Sequence, residues 1–158
     1  MRIGHGFDVH KIVPGKGMTL GGIFIPSKYS IEAYSDGDII IHALADALLG
    51  ALAMGDIGQY FPSNDPKIRD ISSSLILDKV VNMVLDRGFS IENIDVTLIL
   101  EEPKMSTHLL SIRKNLSEKL NIDIEQLSCK ATTTDGLGPE GESLGISCHT
   151  VVLLSKLP

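Results

Sequence analysis

The sequence predicts an α/β or α+β fold, a sheet with helices packed on it. Three observations point there. Segments of strand character alternate with segments of helical period. The chain is 43% apolar over 158 residues with no Trp, so aliphatic Leu, Ile, Val and Ala must fill a core of ordinary domain size. No internal repeat, linker or low-complexity tail divides it, so residues 1–158 read as one domain.

Residues 2–13 read as a strand, with Ile3, Phe7, Val9 and Ile12-Val13 interleaved with polar groups and Gly. Met18-Thr19-Leu20 and Ile23-Phe24-Ile25 form a hairpin turned by Gly21-Gly22. Ser35-Asp36-Gly37-Asp38 offers capping oxygens and early negative charge to a helix over 38–54, rich in Ile, Leu and Ala. Gly55 to Pro66 carries Gly, Pro, Asn and Asp and reads as a long loop. A second helix covers 73–87; Leu77, Val80, Val81, Val84 and Leu85 make its apolar stripe and Gly88 ends it. Ile94 to Leu100 is a strand by β-branched content. Ser106 to Leu120 is helical, with Leu109, Ile112, Leu116 and Leu120 on one face. Leu127–Thr133 and Ile146–Leu154 are the last strands, joined by a Gly-rich loop.

The net charge of −6, with acids and bases mixed and no basic run, argues against nucleic acid or an anionic membrane as the main partner. No apolar stretch reaches the roughly 18 residues of a spanning helix. The opening Met1-Arg2-Ile3-Gly4-His5 lacks a signal-peptide core. Cys129 and Cys148 are too far apart for a CxxC pair and read as buried thiols in a reducing cytosol. A soluble cytoplasmic protein is expected.

Five groups of residues carry chemistry. Asp8 and His10 lie two apart on a strand, so they project to one face, while His5 and Val9 project to the other. Carboxylate and imidazole are good zinc ligands, although a solvated polar pair has the same pattern. His42 and Asp46 lie four apart on an apolar helix and share a face. His42 reads either as a satisfied core residue or as a ligand, with Asp46 placed to orient it. Together Asp8, His10 and His42 are three ligands with a place left open, and neither His108 nor His149 suggests itself as a fourth. The loop Gly55-Asp56-Ile57-Gly58 with Phe61-Pro62-Ser63-Asn64-Asp65 reads as an ordinary turn or as a ligand-binding segment. Lys130 to Gly136 ends a strand with three hydroxyls, Asp135 and flexible backbone, which suits phosphate oxygens and a divalent cation; the plainer reading is a good strand. Pro103-Lys104-Met105 opens a helix, where an anion is favoured.

In this order and spacing, the pieces resemble the 2-C-methyl-D-erythritol 2,4-cyclodiphosphate synthase family of the non-mevalonate isoprenoid pathway. The likeness runs nearly end to end: Arg2 to His10, Ser35 to Asp38 with His42 to Gly50, Gly55 to Gly58, Phe61-Pro62, Pro103 to Met105 and Lys130 to Thr134. It implies a two-layer α/β (α+β) sandwich with a mixed sheet and helices on one face, assembling as a homotrimer with active sites at subunit interfaces. It implies zinc at Asp8, His10 and His42, and magnesium or manganese at Asp135 with the substrate diphosphate. Catalytic roles fall on Tyr34 and Thr133. The substrate would touch Asp8, Val9, His10, Tyr34 and Ser35, and its methylerythritol part would lie on Asp56, Ile57, Gly58, Phe61, Pro62, Ser63, Asn64 and Asp65. Leu100, Pro103, Lys104, Met105, Ser106, Ala131, Thr132, Thr133, Thr134 and Asp135 would take its cytidine diphosphate. The implied reaction is cyclisation of a cytidine-diphospho methylerythritol phosphate with release of CMP.

Four positions depart from the family's common residues. Tyr34 stands for His, and Asp135 for Glu. Pro139 and Glu142 stand where many members carry Phe and Arg lining an axial cavity that can hold isoprenoid diphosphates. Three copies of Glu142 would repel such an anion. A zinc hydrolase and a non-catalytic metal-stapled nucleotide-binding module use the same ligand set.

Overall fold

Glycine at two alternate positions of the first strand determines how the fold closes. A Cβ on Gly4 would stand 1.8 Å from the Ala47 carbonyl oxygen, and one on Gly6 1.9 Å from that of Ala43. Strand β1 (Arg2–Pro14) therefore lies directly against helix α1 (Ile39–Ala51). The computed structural model describes residues 1–62 and 71–157.

The main sheet has five strands in the order β4 (Tyr29–Glu32), β1, β7 (Gly145–Lys156), β5 (Phe89–Ile99), β6 (Leu127–Thr132). Only β5 and β6 pair in parallel, so the sheet is mixed. A parallel neighbour needs a crossover, and α4 (Leu109–Leu120) supplies it. α1 packs on β1 and β7, and α3 (Ser73–Asp86) packs on α1. The core between helices and sheet is aliphatic, with Ile39, Ile40, Ile41, Leu44, Leu48, Leu49, Ile94 and Leu98 fully buried. The other face has no helix among the described residues; Ile3, Phe7, Val9 and Val151 are exposed there.

The expected hairpin is β2 (Gly17–Leu20) with β3 (Ile23–Pro26). Its two glycines both have positive φ, and their N–H groups donate to the buried Asp38 carboxylate at 2.8 and 2.6 Å. Asp38 also accepts from Ile41 N, so one side chain caps α1 and holds the turn.

Several boundaries differ from the sequence expectation. α1 ends at Ala51, because Leu52 to Met54 turn back on the carbonyls of Leu48 to Gly50. The loop after Gly55 contains a one-turn helix, α2 (Ile57–Tyr60), capped by Asp56. On α3, Leu85 is exposed and Val81 half-buried, while Ile76 joins the core, so the buried stripe is rotated toward Ser73, Leu77 and Val80. β5 begins at Phe89, directly after Gly88, because the edge of β7 extends to pair with it. The 106–108 segment is a turn rather than helix. Strand β4 and the one-turn helix α5 (Gly138–Gly141) had no clear sequence signal. Cys129 and Cys148 are free and buried, as expected; burial pushes the Cys129 thiol up to about 11.

Candidate metal centre

β1 presents Gly4, Gly6, Asp8 and His10 to α1, while His5, Phe7 and Val9 point the other way. The close glycine contact lays α1 along the strand, and His42, one residue before Ala43, reaches Asp8. The three side chains meet as the sequence parity requires. Asp8 Oδ2 is 2.9 Å from His10 Nε2 and 3.0 Å from His42 Nδ1, and the two nitrogens are 3.2 Å apart. Among the described residues this is the group of three His, Cys, Asp or Glu side chains whose donor atoms come close enough to share one ion. Donor atoms sharing a tetrahedral zinc at about 2.0–2.1 Å lie roughly 3.3 Å from one another.

The hydrogen bonds around His42 set its tautomer. Ser73 Oγ donates to the Asp36 carboxylate in a short contact, and Asp36 also accepts the Ser73 N–H at 2.8 Å, capping α3. The Ser73 hydroxyl proton is thus spent, so His42 Nε2–H donates to Ser73 Oγ at 2.9 Å. Ser35 Oγ stands 3.3 Å from the same nitrogen. Nδ1 is left with a bare lone pair facing the Asp8 carboxylate and His10. Converging lone pairs and negative charge need a shared positive ion, which fits a metal-binding trio. Burial pushes the Asp8 carboxyl up, but the flanking imidazoles of His10 and His42, when they carry a proton toward it, outweigh that and hold the group well below the usual carboxylate range.

Asp46 takes a partner other than the one expected. Its Oδ1 accepts Ile57 N–H at 2.7 Å, tying α1 to α2, and the His42 ring is oriented by Ser73 backed by Asp36. Burial also raises the Asp46 pKa, with Asp56 and Asp8 adding to the rise.

Two clefts without a shared lining residue carry the expected site positions. One of about 270 Å³ holds the trio together with Tyr34, Ser35, Ile57, Gly58, Phe61, Ile71 and Ile76. The other, about 460 Å³, is lined by Leu100, Glu101, Pro103, Lys104, Met105, Ser106, Leu109, Ala131, Thr132 and Thr133.

The profile of the YgbB family matches residues 1–155. The chain belongs to the YgbB family. A YgbB-family relative, the 2-C-methyl-D-erythritol 2,4-cyclodiphosphate synthase of Gloeobacter violaceus, is 46% identical over 156 residues, covering 99% of this chain and 96% of its own. The same protein of Ectopseudomonas mendocina is 47% identical, with 99% of both chains covered. Among solved structures, the Plasmodium falciparum IspF complex with CDP superposes with a TM-score of 0.88 at 39% identity, over 99% of this chain and 97% of that one.

In this YgbB chain the remaining predicted residues distribute as follows. Val9 turns its side chain to the open face, away from the trio. Asp56 caps α2 and Pro62 is exposed; neither lines the smaller cleft. Ser63, Asn64 and Asp65 lie outside the described residues. Thr134 bonds the Leu137 carbonyl, and Asp135 is exposed with φ 54°. Sequence reasoning missed Asp36, Ser73 and Glu101. Glu101 Oε1 accepts Thr134 N–H at 3.1 Å and Gly136 N–H at 3.3 Å, holding the turn that bears Asp135. No helix of the described residues is long and apolar enough to cross a membrane.

Proposed function

We propose that the chain converts 4-diphosphocytidyl-2-C-methyl-D-erythritol 2-phosphate to 2-C-methyl-D-erythritol 2,4-cyclodiphosphate and CMP. The observation that carries this reading is the trio Asp8, His10 and His42, converging within 3.2 Å beside a cleft in a YgbB chain. In the reaction an oxygen of the 2-phosphate attacks the β-phosphorus, the bond from that phosphorus to the bridging oxygen breaks, and CMP leaves with the electron pair. The nucleophile is already an anion, so no general base is needed.

Asp8, His10 and His42 would hold zinc, and Asp135 would hold magnesium or manganese. Bound there, the ions would supply Lewis-acid charge to the phosphate oxygens. The chain's own part is positioning. Ile57, Gly58 and Phe61 wall the methylerythritol side, and Tyr34 and Ser35 offer hydroxyls to phosphate in the same cleft. Lys104 and the hydroxyls of Thr132 and Thr133 face the cytidine diphosphate in the larger cleft, with Thr133 nearest in role to the developing charge. Holding an intramolecular attack in line is worth roughly 7–11 kcal/mol.

The two clefts join into one site if copies assemble. The exposed apolar face carrying Ile3, Phe7, Val9 and Val151 supports a homotrimer packed sheet to sheet, with one copy's metal cleft beside another's nucleotide cleft. The same reading makes the enzyme cytoplasmic, with a small-molecule substrate and neither nucleic acid nor membrane as partner.

Incubation with the cytidylated substrate, zinc and magnesium in isotope-labelled water tests it. CMP release with no solvent oxygen in either product is expected, and His42→Ala should lose zinc and turnover together. Solvent oxygen in the product would make the chain a hydrolase, and absence of CMP a binding module.

A further inference from the structure

We propose that His5 and His149 form a second metal site, on the open face of the sheet, for a borderline divalent transition-metal ion. β1 and β7 run antiparallel with Phe7 opposite His149 and His5 opposite Val151, so the two histidines are diagonal neighbours on one face. His5 Nε2 and His149 Nδ1 stand 3.1 Å apart. Two nitrogens bonded to one ion at about 2.0–2.1 Å are separated by roughly 2.9 Å at a right angle and 3.4 Å at a tetrahedral angle. The observed spacing lies inside that interval and is close to the 3.2 Å between His10 and His42 in the trio.

The pair is held for the purpose. Its rings stack at 5.3 Å between centroids, and the Phe7 ring packs on His149 at 4.7 Å. Both residues sit on adjacent inner strands, a rigid base for ligands. The surroundings do not repel a cation. Thr97 on β5 lies opposite His149, and the nearest lysine across the sheet, Lys130 opposite Thr97, is paired with Asp95. Imidazole nitrogens with no thiolate or carboxylate select zinc, cobalt, nickel or copper over magnesium or calcium. The remaining coordination places face away from α1, toward the space between copies in the proposed trimer, where water or another copy's side chains can fill them. Asp8, His10 and His42 project to the opposite face of β1, so the two sites are separate.

Titration of the metal-free chain with cobalt(II) near neutral pH, read by its visible absorption and by calorimetry, tests the site without reference to turnover. Two ions per chain are expected for the native protein. One should remain in His42→Ala and none in His42→Ala combined with His149→Gln. His5→Gln and His149→Gln should each weaken the second ion at least about tenfold. Should those variants misfold, the His42→Ala chain decides alone: its bound cobalt must broaden the imidazole proton signals of His5 and His149. No cobalt bound by His42→Ala, or cobalt that leaves those two rings untouched, overturns the proposal. Loss of the first ion alone would instead count against the trio.

Discussion

Ser73 Oγ stands 2.9 Å from His42 Nε2 while giving its own proton to Asp36, so a residue from the start of α3 sets the tautomer of a histidine on α1. Ser73→Ala removes the acceptor and frees the imidazole to carry its proton on Nδ1, the atom that faces Asp8. Zinc affinity, measured by chelator competition, should fall about 10–100-fold. Asp36→Asn should give a smaller loss in the same direction. Native affinity in Ser73→Ala would show that the trio alone orients the ring.

Much of this architecture is legible in the chain. Strand parity alone puts Asp8 with His10 and turns His5 away, because the period of two is strict in a strand. The Asp38 cap and the hairpin follow from local side-chain chemistry. What is illegible depends on partners distant in sequence. Tyr29–Glu32 becomes a strand only by pairing with β1, and it has two polar residues in four. The link from Asp36 through Ser73 to His42 joins the loop before α1 to the start of α3, across residues with no shared pattern. His149 looks unremarkable until β7 is laid beside β1 and brings it to His5.

Gly6→Ala should be severe for a residue of such small size. Its Cβ would fall 1.9 Å from the Ala43 carbonyl oxygen and 2.7 Å from Ala47 N, both backbone atoms that move only with α1. Overpacking ordinarily costs about 1–3 kcal/mol, and a clash with backbone belongs at or above the top of that range. Since α1 carries His42, the metal trio should loosen too. Urea unfolding and zinc affinity are the measurements; a stability change within about 0.5 kcal/mol, the scale of a surface substitution, would mean the helix does not rest on β1 at this point.

The pH dependence of stability should carry the mark of Asp38. Burial raises its carboxyl from 3.8 to about 6, against the pull of the N–H groups of Gly22, Gly21 and Ile41. The folded chain then binds this proton more tightly than the unfolded one. The group's stabilising contribution is full below 3.8 and is lost as pH rises through about 6. Asp38→Asn cannot titrate there. Native stability minus variant stability should therefore fall across that window in matched denaturant titrations, and a flat difference would be inconsistent with the buried carboxyl.

Glu142 and Pro139 bear on whether an assembled trimer accepts an isoprenoid diphosphate on its axis. Glu142 is exposed, near the start of β7, and brings negative charge where the family resemblance leads one to expect Arg. Calorimetry should detect no binding of geranyl diphosphate to the native chain. Tight binding would require a cation from elsewhere to outweigh three carboxylates.

Glu101 is the last side chain whose role the geometry exposes. Its Oε1 accepts from Thr134 N and Gly136 N, the two amides flanking Asp135, which itself adopts a left-handed φ of 54°. A non-glycine residue in that conformation is held by its surroundings, and these two hydrogen bonds add to those the turn makes within itself between Thr134 and Leu137. Glu101→Ala leaves both amides to water and releases the turn that would bring Asp135 to magnesium and Thr133 to the diphosphate. Losing two such bonds costs about 1–3 kcal/mol, or roughly ten- to a hundredfold in kcat/KM. The loss should fall mainly on KM and on the magnesium requirement, because the trio lies in the other cleft and keeps its geometry. Glu101→Gln retains an oxygen acceptor and should recover most of the activity. If alanine performs as well as glutamate, the turn is held by its own bonds, the Thr134 hydroxyl on the Leu137 carbonyl and Leu137 N–H on the Thr134 carbonyl, and Glu101 merely lines the cleft.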